Sequence, residues 1–172
     1  MNLDLSWLGW VHAIASIGAL ATGAWMLLQP KGTSQHRSVG RLYLMAMLVT
    51  NLTALGIYRS GIFFFPHWFA LAALTTIAIG FLSARLRWLK THWRNAHLTC
   101  MVASYYMLVG GGVNEMFLRI HVLHAMAPDV LNSPLIGMVH FANMTIFAIL
   151  IAYFNVRYWN GQARLTAREV RG

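Results

Sequence analysis

The chain has 172 residues, of which 58% are hydrophobic and only 10% carry a formal charge. A soluble domain has about 25% charged residues, and one of this size could not bury so much apolar surface, so a lipid bilayer is the expected solvent. The net charge is +9, but the basic residues are clustered between long apolar segments, which argues against nucleic acid as a partner. The single cysteine, Cys100, excludes an internal disulfide.

Five apolar segments follow one another along the chain, each near the ~20 residues that cross a bilayer as a helix. They cover residues 7–28, 40–58, 63–82, 96–118 and 134–158. Because lipid requires every backbone donor and acceptor to be satisfied within the segment, each is predicted to be helical. The sequence therefore predicts one all-α domain over residues 1–172, an integral membrane bundle of five transmembrane helices joined by short loops.

The basic residues predict the orientation of this bundle. Eleven of the 13 Lys and Arg residues lie between segments one and two, between segments three and four, or after segment five, which leaves Arg59 and Arg119 on the other side. Basic loops stay in the cytoplasm, so the C-terminus is expected there and the N-terminus outside. The first six residues contain Asp4 and no basic residue, so the first segment is expected to be retained rather than cleaved as a secretory signal. In a bacterium this places the protein in the inner membrane.

Three histidines fall at matching depth in three different segments. His12, His67 and His140 precede the basic boundaries of their segments by 19, 18 and 17 residues, which corresponds to about 25–28 Å along a helix. An ionisable side chain at membrane depth is a functional hypothesis by default, and imidazole is the commonest metal ligand and a haem ligand. The alternative is that each ring only bonds a neighbouring carbonyl or anchors at the headgroups.

A second pair of histidines lies near the basic side. Thr33 or Ser34 can cap an early start of the second helix, which would place His36 in its first turn. His97 lies near the start of the fourth helix, which runs in the same direction across the membrane. The two imidazoles would then lie at similar depth on parallel helices.

One interpretation is a transmembrane haem protein. His36 and His97 would hold one haem b near the cytoplasm, and His67 and His140 a second near the outer face, each iron receiving two neutral imidazoles. Electrons would cross the bilayer between them, to or from a quinone or a periplasmic redox partner. The candidate partners of the haem propionates are Arg37, Arg41 and Arg94 inside and Arg59 or Arg119 outside.

The alternative is a divalent-metal site. His12, His67 and His140 would form the open three-histidine geometry of catalytic zinc, with Glu115 as base on the metal-bound water. Glu115 also precedes Arg119 by four residues, a spacing that suits a simple ion pair. A third possibility is a structural or assembly subunit, monomeric or oligomeric, whose histidines only form hydrogen bonds.

The run Gly110, Gly111, Gly112 in the fourth segment is open to two interpretations. Glycine removes the side chain, so a neighbouring helix backbone or a flat ligand can approach closely. The run therefore indicates either helix packing or a cofactor slot.

The stretch 31–43 reads KGTSQHRSVGRLY and resembles a large family of small bacterial membrane proteins of unknown function. Further residues carry the same resemblance: the histidine of helix one, Asn51, His67 after Phe65 and Pro66, His97 with Ser104 and Tyr105, and the run 115–119. The resemblance covers nearly the whole chain and implies a multi-helix inner-membrane protein with no established activity. By spacing alone, the order of histidines is also similar to that in two-haem transmembrane cytochromes b of the ascorbate and ferric-reductase type, which implies the same two histidine pairs.

Overall fold

The computed structural model describes residues 6–57, 65–87, 89, 92–129 and 132–169. Over these residues the chain forms six helices and no strand: α1 (Trp7–Leu28), α2 (Ser34–Gly56), α3 (Phe65–Leu86), α4 (Trp93–Arg119), α5 (His121–Met126) and α6 (Pro134–Glu169). Five of these helices, all except α5, are long and apolar enough to cross a membrane, which confirms the predicted fold class. The chain divides into two compact units, Met1–Ile77 and Ala78–Gly172.

The helix limits differ from the hydropathy segments where polar residues continue a helix. α1 has the predicted limits, but α2 begins at Ser34 rather than at residue 40. Thr33 is its N-cap, and the Oγ1 of Thr33 accepts a hydrogen bond from the backbone N–H of His36 at 3.0 Å. His36 therefore lies in the first turn, as predicted. α6 continues to Glu169, past the apolar span, because a helix needs apolar residues only where it contacts lipid.

In the first unit, α1 and α2 pack as an antiparallel pair. A Cβ built on Gly40, near the start of α2, would lie 3.4 Å from the Cε of Met26, and one built on Gly56, at its end, would lie 3.1 Å from the Cδ2 of Leu8. Small residues at helix contacts in membranes let the backbones approach closely. These two glycines therefore hold α2 against α1 at both ends.

Two basic residues of the 31–43 motif, Lys31 and Arg37, stabilise the turn between α1 and α2. The ammonium of Lys31 donates hydrogen bonds to the carbonyls of Met26 and Leu27 at the end of α1, and desolvation lowers the pKa of Lys31. Gly32 has a φ of 83°, in the left-handed region that favours glycine, and its carbonyl accepts from the Nη1 of Arg37 at 3.1 Å. This stretch therefore closes the turn and caps the helix on each side of it.

In the second unit, α4 packs antiparallel against α6. Asn155 Nδ2 on α6 donates to Thr99 Oγ1 on α4 at 3.2 Å. Further along both helices, the ring centroid of Phe147 lies 5.8 Å from that of Tyr106. Thr99 precedes Tyr106 on α4, whereas their partners Asn155 and Phe147 come in the reverse order on α6, so the helices are antiparallel. The two contacts also show which faces of α4 and α6 meet.

The short helix α5 covers the C-terminal end of α4. Phe117, Ala127 and Ile136 form a buried apolar cluster there, against which Leu123 of α5 packs. The hydropathy pattern misses α5 because its six residues are too few to cross a membrane.

Candidate functional site

His97 on α4 is held by the backbone of α3. Its Nδ1 lies 2.8 Å from the carbonyl oxygen of Gly80. Because a carbonyl oxygen only accepts, Nδ1 carries the proton and donates, and in the neutral ring Nε2 is the nitrogen with the lone pair. A bond from one ring nitrogen to a backbone carbonyl is the usual means of orienting a histidine that binds a metal or haem iron through the other.

Gly80 makes this bond possible because α3 and α4 are in close contact there. A Cβ built on Gly80 would lie 3.0 Å from both the Cβ of Cys100 and the Sδ of Met101, a distance at which side chains must shift. With no side chain at this position, the carbonyl of Gly80 can reach the imidazole.

A positively charged patch precedes His97 and consists of Arg87, just after α3, and Arg94, in the first turn of α4. The guanidinium carbons of Arg87 and Arg94 lie 5.2 Å and 5.1 Å from the ring centroid of Trp93. Such cation–π contacts hold both guanidinium groups beside one indole. Arg87 has a φ of 50°, which is uncommon for a residue with a side chain. Sequence reasoning missed Arg87 as a site residue, since its charge alone does not separate it from the other basic loop residues.

His12 shows the same ring orientation in the first unit. Its Nδ1 lies 2.9 Å from the carbonyl oxygen of Thr50 and 3.0 Å from the Oγ1 of Thr53, both on α2. Because the carbonyl can only accept, Nδ1 again carries the proton, and Nε2 is the lone-pair nitrogen of the neutral ring. His12 therefore joins α1 to α2 by its side chain.

Replacing His12 with alanine is expected to destabilise the protein by about 0.5–2 kcal/mol, because an interhelical hydrogen bond within the membrane is lost. This corresponds to a fall in Tm of about 2–4 °C per kcal/mol for a chain of this size. Thermal unfolding in detergent measures the change, with the exposed His121→Ala as control. A Tm equal to that of the control would show that the bond contributes nothing.

His140 is bonded in the opposite sense, within the second unit. Its Nε2 lies 2.8 Å from Asn114 Oδ1 on α4, so Nε2 donates to the amide oxygen, and Nδ1 is the lone-pair nitrogen of the neutral ring. The Nδ1 and Cε1 atoms of His140 would each lie 3.7 Å from a Cβ built on Gly110. The ring edge of His140 therefore faces the backbone of α4 at Gly110.

The three consecutive glycines of α4 have different surroundings. Only Gly110 faces α6, where a Cβ would lie 3.7 Å from the Nδ2 of Asn143, whereas a Cβ on Gly111 or Gly112 would meet nothing within 4 Å. The Asn143 side chain is buried (9% exposed), and its Nδ2 has no hydrogen-bond partner among the described residues. A polar side chain in this position requires a separate explanation, because buried donors are nearly always bonded.

The other predicted site residues lie in varied surroundings. His67 on α3 is almost fully buried, with 1% of its surface exposed, while His36 is half-buried and Arg41 exposed on α2. Arg119 Nε donates to Glu115 Oε2 at 2.6 Å. The ion pair that this spacing allows is therefore present at the C-terminal end of α4.

The histidines predicted to share a zinc ion or a haem come from both units, and these ligand sets stay predictions. Among the described residues, no group of three or more His, Cys, Asp or Glu side chains is placed to hold a metal ion. Zinc binding by His12, His67 and His140 is thus an expectation from the sequence alone, as is haem ligation by pairs of histidines. Among the described residues, His12 in the first unit and His97 in the second each have an Nδ1 that is bonded to a backbone carbonyl.

Five spanning helices with polar side chains bonded inside the apolar segments define a multi-pass membrane protein. Residues 9–152 match a known protein family, DUF2306, whose members are described as predicted membrane proteins. The chain therefore belongs to this family of unknown function, as its resemblance predicted. No curated protein and no solved structure matches the chain.

Proposed function

We propose that this protein is a haem b protein of the bacterial inner membrane that carries electrons within or across the bilayer, and that His97 would bind the haem iron. The observation that supports this best is the 2.8 Å bond between His97 Nδ1 and the Gly80 carbonyl. It selects the tautomer that keeps the lone pair on Nε2 and limits rotation of the ring. Both conditions suit a histidine that binds iron.

The residues around His97 fit a haem group in charge as well as in donor chemistry. Haem bound by two imidazoles supplies a one-electron carrier. Its two propionates are carboxylates, and the guanidinium groups of Arg87 and Arg94 beside Trp93 are of the type that binds carboxylates well. In this proposal the two arginines would hold the propionates, and His97 would supply a ligand to the iron.

The remaining ligands are assigned from the sequence. His36 is the proposed second ligand beside His97, and His67 with His140 would hold a second haem. The described contacts support the site at His97 more strongly, because the Nε2 of His140 already donates to Asn114. Iron binding through that nitrogen would require the bond to Asn114 to break.

The proposed orientation has the C-terminus in the cytoplasm, since the basic residues are concentrated in the loops on that side. The proposed electron donor or acceptor is a quinone in the bilayer or a redox protein in the periplasm. Most of the described residues lie in spanning helices, so the protein would contact a quinone within the bilayer and a redox protein at the bilayer surface.

A visible spectrum of the purified protein tests this proposal. The protein is expressed with haem precursor supplied, purified in detergent, and measured as a reduced-minus-oxidised difference spectrum together with bound zinc and iron. A reducible Soret band and α band at one or two haems per chain is the expected result. A colourless protein with about one bound zinc would support the three-histidine metal site instead, and a protein with neither would contradict both.

A further inference from the structure

An open groove with a volume of about 390 Å³ lies on the surface of α6. Its walls are residues spaced three and four apart, which share one face of a helix: Ile149, Ala152, Tyr153, Val156 and Arg157. Asn155, which bonds Thr99 of α4, is rotated by about 200° from Arg157 around the helix axis. The groove therefore faces away from α4.

The groove is apolar over most of its length. Ile149, Tyr153 and Val156 have 62%, 54% and 58% of their surface exposed. Ile149 precedes Arg157 by eight residues, which is about 12 Å along a helix and less than half of the ~30 Å hydrocarbon core of a bilayer. The spanning segment of α6 ends at Arg157, so the groove runs from the headgroup level into the hydrocarbon of one leaflet.

The polar end of the groove consists of Arg157 and Tyr153. Arg157 Nη1 donates to the hydroxyl oxygen of Tyr153 at 3.2 Å, and this bond uses one of the five N–H donors of the guanidinium. The other N–H groups and the O–H of Tyr153 are all donors that suit an anion. A guanidinium binds phosphate with two parallel hydrogen bonds, and these are stronger than bonds between neutral groups.

The charge of the chain favours an anion at this end of the groove. The net charge is +9, and no acidic residue occurs between Asp129 and Glu169 in the sequence. An inorganic phosphate would match Arg157 but would leave the apolar walls of the groove unused. A phospholipid matches both parts, because it joins a phosphodiester to a long acyl chain.

We propose that this groove binds one anionic phospholipid. Arg157 and Tyr153 donate to its phosphodiester, and an acyl chain packs along Ile149, Ala152 and Val156. In the proposed orientation the lipid belongs to the cytoplasmic leaflet, whose negative surface attracts basic residues. The inference goes beyond the proposed function and does not depend on haem.

Native mass spectrometry of the delipidated full-length protein in detergent tests this inference. It measures the Kd of the first bound lipid for phosphatidylglycerol and for phosphatidylcholine with the same acyl chains. Phosphatidylglycerol is expected to bind at least about fivefold more tightly, the factor that one basic residue near an anionic surface supplies. Inorganic phosphate should bind far more weakly, since it has no apolar chain to bury. Equal Kd values for the two lipids, or for phosphatidylglycerol and phosphate, would overturn the proposal.

Arg157→Gln identifies the headgroup contact, with Arg85→Gln as its matched control. Arg85 is exposed in the last turn of α3, so the control removes the same charge outside the groove. We expect Arg157→Gln to raise the Kd of phosphatidylglycerol at least about fivefold and Arg85→Gln to leave it nearly unchanged. Equal effects of the two variants would show that the lipid responds to total charge alone, which would contradict a site on α6.

Tyr153→Phe removes the second donor to the phosphodiester without changing the shape of the groove. Tyr153 is half exposed, so the Tm of the delipidated protein should stay unchanged. The Kd of phosphatidylglycerol is expected to rise about two- to tenfold, as for the loss of one hydrogen bond. A wild-type Kd would remove Tyr153 from the site.

Ala152→Phe tests the apolar part of the groove by filling it. Ala142→Phe is the matched control, because it makes the same change at an exposed position of α6 outside the groove. We expect Ala152→Phe to raise the Kd of phosphatidylglycerol at least about threefold, since part of the buried acyl chain is displaced, and Ala142→Phe to have no effect. Wild-type affinity in Ala152→Phe would contradict an acyl chain in the groove.

Discussion

Replacing His97 with alanine is expected to lower haem occupancy of the site at His97 at least about tenfold, which removes one haem per chain, since even the loss of a residue that only orients a ligand costs about 10- to 100-fold in metal affinity. The imidazole supplies Nε2, and the carbonyl of Gly80 fixes that ring through Nδ1. The pyridine haemochrome assay measures haem per chain, and the reduced-minus-oxidised spectrum shows whether the α band is lost.

His97→Asn separates ligation from folding in the same experiment. The asparagine Nδ2 occupies the position of the histidine Nδ1, so it can still donate to the Gly80 carbonyl while the iron-binding nitrogen is removed. We expect His97→Asn to keep the wild-type Tm of the haem-free protein and to lose haem as His97→Ala does. The exposed His124→Ala is the control and should keep its haem. Full haem content in both His97 variants would show that His97 is not a ligand.

Gly80→Ala is expected to lower the free energy of unfolding by about 1–3 kcal/mol, the usual cost of overpacking. The new methyl group would lie 3.0 Å from the Cβ of Cys100, which is close to the backbone and cannot move aside easily. For a chain of this size the corresponding fall in Tm is about 2–4 °C per kcal/mol. Because the shift would also displace the carbonyl that holds His97, haem content should fall with stability.

Gly111→Ala is the matched control for this prediction, because it makes the same chemical change in a spanning helix where a Cβ meets nothing within 4 Å. Alanine is a better helix former than glycine by up to about 1 kcal/mol, so the control should be neutral or slightly more stable. Thermal unfolding in detergent compares the two variants. Equal Tm values would show that α3 and α4 are not in close contact at Gly80.

The class of this protein and much of its helical layout follow from the order of its residues. Lipid offers no hydrogen bonds to the backbone, so a long apolar segment must be a helix, and the limits of α1 follow from composition alone. The cap at Thr33 was predictable as well, because capping depends on residues within one turn. These features are local, and a single sequence contains all the information that they need.

The partner of each polar side chain, in contrast, depends on how the helices pack against one another. Successive residues of a helix are rotated by about 100°, so the sequence does not show that Gly110 rather than Gly111 faces α6. The bond from His97 to Gly80 and the contact of Arg87 with Trp93 likewise depend on how α3 and α4 pack. The surroundings of Asn143, whose Nδ2 has no hydrogen-bond partner among the described residues, were also beyond prediction. Hydrogen-bond satisfaction depends on the rotation and spacing of neighbouring helices, and hydropathy reports neither.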